Sequence, residues 1–187
     1  MDTLLDTDRP RLSADEFMVT DQHVFGDAWR YELVDGRPVA MAPPTDRHAF
    51  ILSNLINAMT AALTAAGLPC RTATGNGVRP GRAPKTRVRI PDAMVMCRNG
   101  ERRRPVVLFE ILSPSNEGAD YDERIEDLKT VEGVEEIVEL AQDAVAARIH
   151  RRHDDEWRTV EARGEDAELD LQSLGVHVRM AEFYADL

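Results

Sequence analysis

The chain has 187 residues, 34 of them acidic and 23 basic, for a formal net charge of −11. With 43% hydrophobic and 30% charged residues, it has the length and apolar content of one soluble domain with a sizeable core. The balance excludes a uniformly basic nucleic-acid coat, because phosphate contacts dominate such binding, and no apolar run approaches the roughly 20 residues of a membrane span.

The opening "MDTLLDTDRPRLSADEF" lacks the basic start and apolar centre of a signal peptide. Within it, Ser13 and Glu16 have the spacing of a capping box, which predicts a short helix to about Thr20. "WRYELVDGRPVAMAPP" reads as a hairpin: Tyr31 and Leu33 alternate with polar neighbours, Asp35-Gly36 turns, Val39 and Met41 return, and Pro43-Pro44 ends it. Glu32 reads as an exposed strand residue. "TDRHAFILSNLINAMTAALTAAG" is a helix, with Phe50, Ile51, Leu55, Ile56, Met59 and Leu63 on a 3.6-residue period. Thr45 or Asp46 caps it, and Gly67 before Pro69 stops it. His48, near its start, reads as a capping or packing residue.

"PCRTATGNGVRPGRAPKT" is an extended, loop-rich arm. "RVRIPDAMVMC" and "RPVVLFEILS" are strands joined by the turn in "RNGERRR". "YDERIEDLKTVEG" is a second helix. "EEIVELA", "AARIHRR" and "EWRTVEARG" are further strands, and "LQSLGVHVRMAEFYADL" gives a strand-like piece and a final short helix. His150 and His153 lie on opposite faces of their strand, so they do not read as a metal pair. This order predicts an α/β fold with a mixed sheet and helices packed on it, in one domain spanning residues 1–187.

Charge is polarised along the chain. Between Arg71 and Arg104 ten basic residues face two acids, a local charge of +8. Between Glu110 and Asp143 twelve acids face two basic residues, a local charge of −10. The basic segment is a candidate surface for a polyanion. Cys70 and Cys97 are far apart and form no CxxC pair, so they read as two reduced, buried thiols of a cytoplasmic protein.

A carboxylate inside the strand "VVLFEILS" needs a reason, because removing an ion from water costs several kcal/mol unless something pairs with it. If the strands around Glu101 pair antiparallel with partner numbers summing to 202, Asp92 faces Glu110. Met94, Met96 and Leu108 then share that face, with Val95, Val107 and Phe109 on the other. Two ionised carboxylates about 5 Å apart repel by about 3 kcal/mol at an effective dielectric of about 20. A shared proton, a bridging basic side chain or a divalent cation relieves that, and oxygen donors suit Mg²⁺. Pro91, which cannot donate to a ladder, places Asp92 where the sheet opens.

The ordered set "SADEF", "YELVDGRPVAMAPP" with His48, "RIPDAMVM", "VVLFEILSPSN" and "DYDERIEDL" resembles the Uma2 family of restriction endonucleases, within the PD-(D/E)XK superfamily. The resemblance implies a restriction-endonuclease-like αβββαβ core with an added N-terminal hairpin and C-terminal strands. It also implies Mg²⁺-dependent phosphodiester hydrolysis, with Mn²⁺ as a substitute, and a bacterial cytoplasmic setting. On that pattern Asp92 and Glu110 are the catalytic metal carboxylates, and the carbonyl of Ile111 completes the inner shell. The superfamily's lysine two residues after the second acid is Leu112 here. The family's compensating basic residue on the next helix is Arg124, where lysine is usual. DNA is the implied partner and a homodimer the implied assembly. Leu112, Arg124 and the acidic total charge leave open a second reading, a catalytically degenerate nuclease fold that binds nucleic acid or assembles.

Overall fold

A computed structural model describes residues 11–112 and 118–187. Residues 1–10 of the opening segment and the "SPSNE" stretch at 113–117 lie outside the described residues. In chain order the elements are α1 (Ala14–Val19), a 3-10 turn (Gln22–Phe25), β1 (Arg30–Val34), β2 (Arg37–Met41), α2 (Asp46–Ala65), β3 (Cys70–Ala73), β4 (Ala93–Asn99), β5 (Arg102–Leu112), α3 (Ala119–Lys129), β6 (Glu136–Ala141), β7 (Ala146–His153), β8 (Glu156–Arg163), β9 (Glu168–Leu171), β10 (Val176–Arg179) and α4 (Met180–Phe183). The run α2–β3–β4–β5–α3–β6 is the expected αβββαβ core.

Six strands form one mixed sheet in the order β3-β4-β5-β6-β7-β8. Its one parallel pair is β5 with β6, joined through α3 as a parallel crossover requires. The other neighbours pair antiparallel. β1–β2 and β9–β10 are separate two-stranded ribbons. Asp35 and Gly36 both take positive φ, 49° and 78°, which suits a primed hairpin turn.

Ser13 and Glu16 form the predicted capping box, and Thr45 caps α2 through its side chain. Along α2, Ile51, Leu55, Met59 and Leu63 recur every fourth residue and are buried against the sheet. Phe50, expected in that stripe, is exposed, because the buried row is narrower than the apolar pattern. α2 is long and apolar enough to cross a bilayer by length and composition alone, which its scattered polar residues conceal. In the fold its apolar stripe lines the main core, with β9, β10 and α4 on the same side.

Three local expectations change. "RVRIPDAMVMC" is not one strand: Val88 and Arg89 bridge to Leu33 and Val78, and β4 starts only at Ala93, after the break at Pro91. β9 is additional, with Leu169 and Leu171 buried and paired to β10. Cys70 and Cys97 are not free thiols. They sit directly opposite on β3 and β4, with Cα atoms 4.0 Å apart, and are joined in a disulfide across 27 residues of chain. The register brings them within bonding reach, and sequence separation hides it.

Candidate active site

β4 and β5 pair in the expected register at the end that matters. Ala93 faces Phe109, Met94 faces Leu108 and Val95 faces Val107. A bulge between Val95 and Met96 shifts the far end, so the symmetric pairing assumed from the loop holds only near the acids. Val95, Val107 and Phe109 belong to the core under α2, while Met94 and Leu108 belong to the core under α3. Asp92 therefore enters beside Glu110. Its Oδ2 accepts the Ile111 backbone N–H at 2.8 Å and lies 3.2 Å from His48 Nε2.

Glu110 is buried in β5, and α3 supplies its partner. Arg124 Nε donates to Glu110 Oε1 at 3.2 Å and Nη2 to Oε2 at 3.2 Å. Nη2 also donates to the Ile90 carbonyl at 3.0 Å, and Nη1 donates to Glu32. Glu32 is buried in β1. Its Oε1 accepts the Ile90 N–H at 2.6 Å and its Oε2 accepts from Arg89 Nη1 at 3.1 Å. Arg89 passes the connection to Asp127 on α3, which is fully buried and also held by Arg82 and Arg87. One ionic chain thus runs Glu110–Arg124–Glu32–Arg89–Asp127.

Burial pushes Glu110 up to about 8, while Arg124 draws it back. Burial also works against the charge on Arg124, but Glu110 and Glu32 overcome it and hold the guanidinium protonated. These two shifts pull apart, since the second rests on an ionised Glu110. The forked geometry favours the ionised carboxylate at neutral pH, yet leaves it easier to protonate than an ordinary glutamate.

A second polar cluster adjoins the first. Glu139 in β6 is directly beside Glu110 in the sheet register. It accepts from the Tyr121 hydroxyl at 2.8 Å and lies 2.8 Å from His150 Nε2. His150 Nδ1 lies 2.9 Å from the Thr159 hydroxyl. Burial pushes the Tyr121 hydroxyl up, and the carboxylates of Glu110 and Glu139 add to that. Burial raises Glu139, but hydrogen bonds from His150 and Tyr121 outweigh it and hold the acid low.

The structure ties Asp92 to the Ile111 N–H and Arg124 to Glu110, at adjacent residues of β5. It corrects two expectations there. Glu32 is not exposed, because Val88 pairs with Leu33 and brings the neighbouring Arg89 and Ile90 onto the acid. His48 does have its backbone N–H capped by Thr45, yet its imidazole reaches Asp92. The alternation of Tyr31 and Leu33 signals a strand but not that a second layer covers its polar side. His153 is exposed and His150 is engaged with Glu139, so the histidine pair is not a metal site. The basic segment also divides. Arg79, Arg82, Arg87, Arg89 and Arg104 are committed to ion pairs. Arg71, Lys85, Arg98, Arg102 and Arg103 form none among the described residues.

Among the described residues no three His, Cys, Asp or Glu side chains are placed together to hold a metal ion. The carboxylates of Asp92 and Glu110, on either side of the Ile111 N–H contact, are hard oxygen donors, and Mg²⁺ characteristically takes only one or two carboxylates and keeps waters. The donor set therefore fits Mg²⁺ in kind, with Arg124 on both Glu110 oxygens as the competing cation.

A family model, Uma2, described as "Putative restriction endonuclease", matches residues 14–181. No curated protein matches the chain. Among solved structures, one described as a "putative nuclease belonging to DUF820 from Anabaena variabilis" superposes with a TM-score of 0.68 at 16% sequence identity, covering 93% of this chain and 98% of that one. At that identity the likeness is one of fold.

Proposed function

Since the chain belongs to the Uma2 family, described as "Putative restriction endonuclease", we propose that it is a metal-dependent nuclease that hydrolyses phosphodiester bonds in DNA. The observation that carries this reading is that Asp92 accepts the backbone N–H of Ile111, one residue along β5 from the buried Glu110, near enough for its charge to raise that acid. Asp92, Glu110 and the Ile111 carbonyl would hold Mg²⁺, with Mn²⁺ as a substitute. Bound there, such an ion polarises a phosphoryl oxygen and lowers the pKa of its water.

The chain's own groups then have distinct tasks. The Ile111 N–H and His48 fix the orientation of Asp92. Arg124 is always protonated and so cannot act as a general base, but it can stabilise negative charge growing on phosphate oxygens. Backbone positioning falls to the arginines outside the ionic chain, Arg71, Arg98, Arg102 and Arg103. A homodimer would suit cleavage of both strands by two-fold symmetry.

The test is Mn²⁺-supported cleavage of plasmid and single-stranded DNA by wild type, Asp92→Asn and Glu110→Ala. The reading expects both variants to lose cleavage. Cleavage that persists in either removes the assignment. One observation favours the second reading, a degenerate fold that only binds or assembles: both Glu110 oxygens are already taken by an arginine that cannot deprotonate. DNA retention without cleavage by wild type would establish it.

A further inference from the structure

Arg124 is the cation that Glu110 already holds. Four of its five N–H donors are used on the protein: Nε and Nη2 on Glu110, Nη2 again on the Ile90 carbonyl, and Nη1 on Glu32. Among the described residues no three His, Cys, Asp or Glu side chains stand together to cage an ion, and Glu110 is the acid next along β5 to the residue that Asp92 contacts. Mg²⁺ demands oxygens at about 2.0–2.1 Å in near-ideal geometry. A guanidinium 3.0 Å from the same carboxylate and a divalent ion would repel each other at close range. With Arg124 forked onto both of its oxygens, Glu110 is a poorer cation ligand as the site stands.

We propose that Arg124 is a built-in counter-ion that keeps divalent cations off Glu110 until a phosphodiester draws its guanidinium away. This rests on the reading of Asp92 and Glu110 as cation ligands. The geometry gives Arg124 somewhere to go. Glu32 binds it independently of Glu110, so it stays paired after leaving Glu110. The fork that fits a carboxylate also fits a phosphate. A lysine, one point charge, would not span Glu110, Glu32 and a backbone carbonyl at once. Cation and Arg124 therefore weaken each other's hold on Glu110, and by linkage phosphodiester and cation favour each other.

The experiment is calorimetric titration of the full chain with Mn²⁺ alone, comparing wild type, Arg124→Gln and Arg124→Lys. The glutamine variant is expected to bind Mn²⁺ at least tenfold more tightly than wild type, with the lysine variant between them. Adding Asp92→Asn to Arg124→Gln is expected to abolish the gain. Equal or weaker binding by Arg124→Gln overturns the proposal. Should that variant fail to fold with Glu32 and Glu110 unpaired, the wild-type Arg124 Nε–H resonance decides. It is expected to shift and lose exchange protection on saturation with Mg²⁺, and an unchanged signal overturns the proposal. Tight Mn²⁺ binding by Arg124→Gln without DNA cleavage by wild type would leave this inference standing and remove the nuclease reading. Wild-type cleavage with no gain in Arg124→Gln would do the reverse.

Discussion

The two helices that cover the central sheet hold it by opposite chemistry. α2 packs on it through Ile51, Leu55, Met59 and Leu63, and the buried ion pair on that side, Glu136 with Arg151, joins the sheet to Asp170 of β9. α3 covers the other side with Ile125 and Leu128, but also with Tyr121, Arg124 and Asp127, three residues apart along one side of the helix. Each of the three grips a buried charge. Apolar packing is non-directional and tolerates repacking. A buried ion pair is seldom a net gain over apolar residues, yet removing one partner strands the other. The α2 contact is built for stability; the α3 contact spends stability on holding acids in place.

That contrast can be broken at either face. The largest effect is expected from Asp127→Ala, which leaves Arg89 buried without its main partner and should cost about 3–5 kcal/mol in urea unfolding. Leu55→Ala on the α2 side should cost about 2–5 kcal/mol, with the acid site intact by any cation-binding readout. Tyr121→Phe removes one hydrogen bond to a charged acceptor and should cost about 1.5–3 kcal/mol, with hydrogen exchange faster in the first turns of α3 than in α2.

The smallest effect is a slope with pH. Burial raises Glu110 above the 4.3 or so of an unfolded chain, although its fork with Arg124 keeps it ionised at neutral pH. Between the unfolded and folded values the folded protein keeps a proton that the unfolded chain has released. Stability contributed by Glu110 is therefore full below about 4.3 and falls as pH rises through the folded value, by at most about 1.4 kcal/mol per pH unit inside that narrow window. Glu110→Gln should flatten the slope in urea melts at pH 5, 6.5 and 8, and an identical slope in the variant would refute the assignment.

Much of the α2 side is legible in the sequence. The helical period of α2, the capping box at Ser13 and the Asp35-Gly36 turn are local signals, and local physics decides them. The register of β4 on β5 next to the acids agrees with the one read from the loop, but only because a bulge at Val95/Met96 offsets the turn by one residue, which no local signal shows. The ionic α3 side is not legible. Glu32, Arg89 and Arg124 come from elements up to 92 residues apart, and nothing in an alternating strand shows that a charged residue is covered from above. Cys70 and Cys97 fail for the same reason: only the register of β3 on β4 makes them partners. His48 reads as a helix-start residue because it is one, and its imidazole's reach to Asp92 depends on where α2 begins relative to β4.

The most direct test is anomalous diffraction from crystals of the protein grown with a DNA oligonucleotide and Mn²⁺. The account predicts a peak between the carboxylates of Asp92 and Glu110, with Arg124 moved off Glu110 and onto a phosphate. A peak elsewhere, or none while Arg124 still forks onto Glu110, would contradict it.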